Sequence, residues 1–412
     1  MAAVPATEFP PLWRNRDYIL LWLGQTISVV GTQVSQLAFP LLVLALTQSP
    51  AQAGFVAAAR SVPWLVFALP AGALVDRWDR KRTMLLCSAG SALALGSIVA
   101  AYALGALTIT QIVAVSFIEG TLSLVFGLAE TSALPQVVSR AQLPTAVAQQ
   151  QAQYAVGSLV GPALGGVLYS LARYLPFLVD SCSYAFSACS LPFIHTSFGG
   201  QVAIQGRSLR AEIGEGVTWL WRQPLIRAMS LLTGCLNFTA GIDLIIIVLL
   251  QRQGVSSATI GLIFALAGGG GLLGALLAPR VQRRLSFGQA IIGICWCWVA
   301  IFGFVAAARS VPAVAAILVG FFFIGPSYDT VQYSYRLKLI PDRLQGRVNS
   351  VFRLVAQGMR PLGLALTGVL IERLGVVEAT LILCAWLGVV AALTTLNRDI
   401  RQAPRLTEAA AA

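Results

Sequence analysis

Apolar residues in this chain fall into long continuous runs, separated by short stretches rich in arginine, glycine and proline. A helix needs about 20 mostly apolar residues to cross a hydrocarbon core ~30 Å thick. Twelve such runs can be read, at 17–46, 52–75, 83–104, 108–133, 145–172, 175–196, 226–250, 257–279, 288–308, 312–337, 345–371 and 375–396. They are continuous rather than alternating, which excludes a transmembrane β-barrel. The widest gap, 197–225, carries an amphipathic stretch over 209–221, expected to lie in the membrane interface. The pattern predicts an all-α membrane protein with twelve transmembrane helices in two six-helix bundles. The expected units are an N-terminal bundle over 1–196, a linker over 197–225, and a C-terminal bundle with a short tail over 226–412.

Composition narrows the class. Of 412 residues, 57% are hydrophobic before the 38 glycines are added, and only 11% are charged. An ordinary soluble domain has ~25% charged residues, so a soluble enzyme or a disordered chain is excluded. The net charge of +12 would suit nucleic acid, but its placement argues otherwise. With a cytoplasmic N-terminus, 21 of the 28 basic residues lie on the cytoplasmic face and four (Arg173, Arg252, Arg309, Arg373) on the other. The cytoplasmic set runs from Arg14 and Arg16 through Arg207 and Arg210 to Arg405. That asymmetry is the positive-inside pattern. It places both termini in the cytoplasm and removes the need for a nucleic-acid partner; the expected location is the cell inner (plasma) membrane, as a multi-pass protein. The seven cysteines lack C-x-x-C spacing and His195 stands alone, so no metal site is expected. The chain's two lysines, Lys81 and Lys338, stand outside any phosphate-binding loop. No cofactor is expected, and an ion gradient is the natural energy source.

The chain also repeats itself. Gly161–Leu168 (GPALGGVL) and Gly363–Leu370 (GLALTGVL) agree at six of eight positions, 202 residues apart. Gly72–Val75 (GALV) and Gly274–Leu277 (GALL) match at the same offset. A duplicated six-span unit has like-oriented copies, the arrangement of a rocking two-bundle transporter with its site at the bundle interface.

Two segments carry a resemblance. Residues 72–82, GALVDRWDRKR, resemble the major facilitator superfamily signature between helices 2 and 3. Gly72, Leu74, Asp76, Arg77, Arg80 and Lys81 match it, and Asp79 stands where the family usually has glycine. Span 5 carries Gly157, Gly161, Pro162, Gly165 and Gly166 in the spacing of that superfamily's antiporter motif. ALPQVVSRAQL, PFLVDSCSYAFSA and IPDRLQGRVNSVFRLVAQGMRPLG resemble the macrolide-efflux and enterobactin-exporter branch of drug:proton antiporters. Where many drug exporters have an arginine in helix 4, this chain has Ser116, with Glu119 nearby. The resemblance implies the major facilitator fold, with helices 1, 4, 7 and 10 lining a cavity.

Candidate site residues follow. Small residues every four positions let helix 5 approach its neighbours closely, making Gly157, Gly161, Pro162, Gly165 and Gly166 gating candidates with Gly72. Asp76 is expected to meet the N-terminus of helix 11, and Arg77 and Arg80 to pair with Glu130, latching the cytoplasmic side. Seven charges remain inside spans: Arg60, Glu119, Asp180, Asp243, Asp329, Arg353 and Arg360. An ion at mid-bilayer is expensive, so function is the default reading. Arg60 with Asp243 would form a periplasmic latch and Asp329 with Arg353 a structural pair; Arg353 and Arg360 stand with Arg60 among the gating candidates, and Asp180 at the helix 6 entry is read as structural. Glu119 leads as the proton-coupling group, followed by Asp329. Polar stripes predict a wet cavity: Gln25, Ser28, Thr32 and Gln36 on helix 1; Glu119, Ser123 and Glu130 on helix 4; Asp329, Gln332 and Arg336 on helix 10. Trp22, Phe39, Tyr328 and Tyr333 suit a bulky apolar substrate, and Asp243 joins the cavity set. The expected function is a monomeric, proton-coupled exporter of an amphipathic small molecule such as a drug, siderophore or secondary metabolite. Its partners would be that molecule and the lipid bilayer. The alternatives are an uptake or lipid-flipping transporter of the same fold, or a non-transporting membrane receptor.

Overall fold

A computed structural model of the chain describes residues 11–75, 77–196 and 209–403. Asp76, Arg207, Arg405 and the linker segment 197–208 lie outside the described residues, and so does the Asp76 latch contact. The first six helices are α1 (Arg16–Thr47), α2 (Pro50–Val75), α3 (Arg80–Ala103), α4 (Ile109–Val137), α5 (Leu143–Leu171) and α6 (Leu175–Ser190). After α7 (Leu209–Arg222) come α8 (Pro224–Asn237), α9 (Ile242–Arg252), α10 (Ser257–Arg284), α11 (Phe287–Ala307) and α12 (Val311–Leu339). The chain continues through α13 (Gln345–Gly358), α14 (Arg360–Leu374), α15 (Val376–Leu396) and the short α16 (Arg398–Arg401).

Eleven stretches among the described residues are long and apolar enough to cross a membrane, with α8–α9 and α13–α14 each counted as one. The expected span at 175–196 differs: α6 has 16 residues, about 24 Å, and passes into a 3-10 turn over Leu191–Phe193. Pro192 accounts for the stop, since its ring opposes a further α-helical turn. Two expected continuous spans are broken. The seventh turns between Asn237 and Ile242, and the eleventh is interrupted at Met359, one residue before Arg360 and Pro361. Helix starts follow local chemistry: Asn15, Asp79, Thr108, Ser256 and Ser286 each cap the helix that follows. The Asp79 carboxylate accepts from the Arg82 amide at 2.8 Å, a structural reason for an acid at that position.

Helices α1 to α6 pack mainly on one another, and α8 to α15 do likewise. The two groups meet chiefly where α5 lies on α10 and α2 on α14. α7, expected in the membrane interface, docks on α13: Gly216 faces the Arg347 backbone, and Glu215 pairs with Arg347 at 2.5 Å.

The inter-group contacts expose the repeat and correct its register. Gly166 of α5 faces Gly261 of α10, and Gly368 of α14 faces Gly54 of α2. The first residues of α2 and α10 lie 207 positions apart, as do those of α3 and α11, whereas α4 and α12, and α5 and α13, start 202 apart. The five residues disappear where α11 and its following connection are shorter than α3 and its own. The GPALGGVL pair therefore reflects true equivalence. The GALV–GALL match is out of register by five and is coincidental.

Candidate functional site

A chain of connected cavities separates the two helix groups. The central one, about 390 Å³, lies among α1, α2, α9 and α14, with Gln36, Arg60, Asp243 and Arg360 beside Phe39, Phe264 and Phe322. A second, about 480 Å³, shares Gln36, Arg60 and Arg360 and adds Trp64, Ser123, Arg353 and Gln357. A third, about 350 Å³, is walled by Trp298, Phe321 and Tyr328 and reaches Asp243 and Asp329.

One end of this space is shut. There α2 begins and α14 ends; Ser49 and the Ala51 amide both hydrogen-bond Glu372. On the other seam the Pro162 carbonyl and Gly166 lie against Gly261. A Cβ at Gly166 would sit 2.9 Å from the Gly261 Cα, so only paired glycines allow this approach. The expected gating residues of α5 therefore have defined partners: Gly157, Gly161 and Gly165 face Val29, Gln33 and Val34 of α1, while Gly166 faces α10. Pro162 leaves α5 continuous.

Toward the opposite, arginine-rich end the two groups part. A side chain at Gly72 or Gly346 would meet nothing within 4 Å, and Arg353 and Asp329 are exposed. At this end Arg77 is exposed and Arg80 buried, while Lys81 donates to the Pro192 and Ile194 carbonyls beyond α6. The expected pairing of these arginines with Glu130 is not formed. Glu130 instead lies beside the Gln25 and Gln150 amides, in a side cavity of about 180 Å³ lined by Gln25, Ser28, Thr32, Gln36 and Ser123.

The intramembrane charges pair differently from expectation. Arg60 and Glu119 each stand ten residues into helices that begin at the closed end, so they share one depth. Arg60 Nε and Nη2 meet the two Glu119 carboxylate oxygens at 2.5 and 2.9 Å. Arg60 therefore does not latch to Asp243. Tyr184 donates to Glu119 at 3.2 Å and lies 2.9 Å from the Thr32 hydroxyl. Behind them Asp180, wholly buried, accepts from Ser35 at 2.5 Å and Ser183 at 3.2 Å. Glu119 is itself wholly buried, and the network meets the cavities at Arg60 on one side and at Thr32 and Tyr184, which line the side cavity, on the other.

On the other half, Asp243 occupies the first turn of α9 and Arg360 the first position of α14. Both sit at helix breaks, where free backbone groups favour polar company. They share two cavities and each other's electrostatic field, without an ion-pair contact. Asp329 does not pair with Arg353; it lies near Arg336, whose guanidinium stacks 3.9 Å above the Phe352 ring. Gln332 donates to Thr233 and Tyr328 at 2.5 and 2.7 Å, so it braces α12 on α8 rather than facing a ligand. Phe39 and Tyr328 line cavities, whereas Trp22 packs edge-on to Trp13 and Tyr333 is exposed.

Several lining residues were not singled out from the sequence: Gln33, Ser61, Trp64, Trp298, Phe322 and Gln357. A signal existed for two of them. Trp64 follows Arg60 by four, and Gln357 follows Arg353 by four and precedes Arg360 by three, the spacing of one helix face.

Comparison with known proteins agrees with this architecture. The family described as transmembrane secretion effector, within the major facilitator superfamily (MFS), matches residues 6–410. The multidrug efflux pump Tap of Mycobacterium tuberculosis (strain ATCC 25618 / H37Rv) is 27% identical over 382 residues, covering 88% of each chain. Macrolide efflux protein A of Streptococcus pyogenes is 25% identical over 394 residues, covering 90% of this chain and 94% of its own. The crystal structure of the nucleoside transporter NupG superposes with a TM-score of 0.76 at 14% identity, covering 93% of this chain and 98% of that one, a likeness of fold. The chain is a member of the transmembrane secretion effector family of the major facilitator superfamily, a multi-pass membrane transporter and not an enzyme, with efflux pumps among its relatives.

Proposed function

We propose that this protein exports an amphipathic small molecule from the bacterial cytoplasm by alternating access, in exchange for protons. The observation that carries the reading is the cavity itself. It is sealed at one end by glycine-mediated seams, open at the arginine-rich end, and walled by both halves with a buried acid–base pair at its edge. The positive-inside pattern makes the open end cytoplasmic, with both termini on that side and twelve crossings, the short α6 included. The chain then divides into six-span halves over 1–196 and 226–412, joined by the 197–225 linker, in the plasma membrane.

In this reading substrate enters from the cytoplasm between the parted ends of α2, α5, α10 and α13. Closure there, with parting of the α5–α10 and α2–α14 seams, releases it outside. Glu119 is the coupling acid: a proton arriving on its carboxylate removes the anionic partner of Arg60, and the freed guanidinium turns to the cavity. Asp329, exposed toward the cytoplasmic side, is the second acid on the path. One proton moving through ~100 mV supplies about 2.3 kcal/mol. No cofactor is required, and the working unit is a monomer whose two halves supply the two sides of the site.

The test is an efflux and susceptibility screen in an efflux-deficient bacterial host. Expression should lower accumulation of at least one amphipathic compound, and an uncoupler should abolish the effect. Uptake rather than loss would sink the proposed direction; no effect on any compound would sink transport.

A further inference from the structure

We propose that the substrate is an amphipathic anion, whose carboxylate, sulfonate or phosphate head is held between Arg60 of one half and Arg353 and Arg360 of the other. This rests on the exporter reading and names the substrate class for it. The 480 Å³ cavity carries all three guanidiniums, with the Gln36 and Gln357 amides and the Trp64 indole beside them, and no carboxylate among its lining residues. Glu119 offsets Arg60 and Asp243 shares the field of Arg360, while Arg353 has no ion-pair partner among the described residues, so the space keeps an excess of positive charge that an anion would neutralise.

Each guanidinium has hydrogen-bonding capacity to give. Arg60 donates one hydrogen bond to Glu119, from Nη2, and its Nε lies in ion-pair contact with the other carboxylate oxygen, which leaves Nη1 and the second Nη2 hydrogen to give. Arg353 is exposed and forms no ion pair among the described residues. Arg360 shares the cavity system with Asp243 without contacting it as an ion pair. Planar guanidinium donors suit the oxygens of a carboxylate, sulfonate or phosphate.

The body of the molecule has its own place. The adjoining central cavity shares Arg60 and Arg360 and is walled by Leu37, Val56, Phe264 and Phe322. Head and body would thus lie along the cavity axis, with the body toward the closed end. An anion touching α2 and α13–α14 together also bridges the two halves, so binding would draw the open end shut.

The probes are 1-anilinonaphthalene-8-sulfonate and its uncharged parent, N-phenyl-1-naphthylamine, titrated onto the full chain in lipid nanodiscs with empty discs subtracted. The sulfonate should bind saturably and weaken with salt. Arg353→Gln and Arg360→Gln should each weaken it about tenfold, one charge-assisted hydrogen bond's worth. Arg353→Lys should retain most of the affinity, and Arg309→Gln, in the short connection between α11 and α12 at the closed end, should change nothing. The parent should bind weakly and ignore all four variants. Absent saturable sulfonate binding, unchanged binding in both Gln variants, or equal affinity for the parent overturns the proposal. The cellular screen separates the two readings. Export of uncharged or cationic compounds alone leaves the exporter standing and removes the anion; sulfonate binding through these arginines without export of any compound does the reverse.

Discussion

Arg60 and Glu119 show how a single pair sets the chemistry of the cavity edge. The acid is wholly buried, while the arginine side chain retains 20% exposure to the cavity. Breaking a buried pair by removing one partner costs about 3–5 kcal/mol when no water reaches it, and the exposed edge of Arg60 reduces that. Glu119→Gln should therefore lower the thermal unfolding midpoint measurably and abolish export driven by a pH gradient in proteoliposomes. Intact gradient-driven export in that variant would remove Glu119 from the coupling role. Asp79 makes a smaller, purely structural contribution. Asp79→Ala deletes the cap on α3 and should cost about 1 kcal/mol, read as a lower midpoint with transport per folded molecule unchanged.

The helices that matter most are those whose faces carry glycine. Gly166 on Gly261 and Gly54 on Gly368 bring α5 to α10 and α2 to α14 at backbone contact. Gly166→Leu forces a large side chain into the first seam, at about 1–3 kcal/mol of overpacking. The expected result is a shift toward an outward-open form. A cysteine introduced at Ala53, deep in the central cavity, should then react faster with an impermeant thiol reagent added from outside. An unchanged rate would mean that the seam is not the gate. Cross-linking gives the converse test: Ser49→Cys with Glu372→Cys, joined by a short bis-methanethiosulfonate, should hold the outer end shut and stop export until a reductant cleaves the linker disulfides.

For the molecule as a whole, the central expectation is sidedness. Every basic turn on the open side should be cytoplasmic, so Gly72→Cys should label only when reagent reaches the cytoplasm. Labelling from outside intact cells would invert the orientation and with it the direction of opening. The two halves repeat one packing scheme with a five-residue change of register between α2–α3 and α4–α5. The cavity is not symmetric, however. The Arg60–Glu119 pair has no charged counterpart in the second half, where helix breaks instead present Asp243 and Arg360.

Crossing helices were legible because a span must satisfy its own backbone hydrogen bonds and face lipid, which dictates about 20 apolar residues whatever the neighbours are. The asymmetry of arginines was legible for the same reason, as a property of each loop alone. The α5 glycines could be read as a close-packing face, since helical spacing puts them together. Partners were another matter. Spacing within a helix cannot say which neighbour a side chain meets, so Arg60 was matched to Asp243 rather than Glu119, Asp329 to Arg353, and Glu130 to the arginines of the α2–α3 turn. The breaks fall beside helix-weakening residues, Gly241 in one and Gly358 and Pro361 in the other, but long apolar spans also carry such residues without breaking, as α5 does at Pro162. At these breaks α8–α9 and α14 pack closely, where Gly363 meets the Phe238 backbone and Thr367 meets Gly241. Local chemistry thus settles what can cross a membrane and where a helix begins. Only the packing of distant segments decides which charges meet, where a helix yields, and which end of the cavity is open.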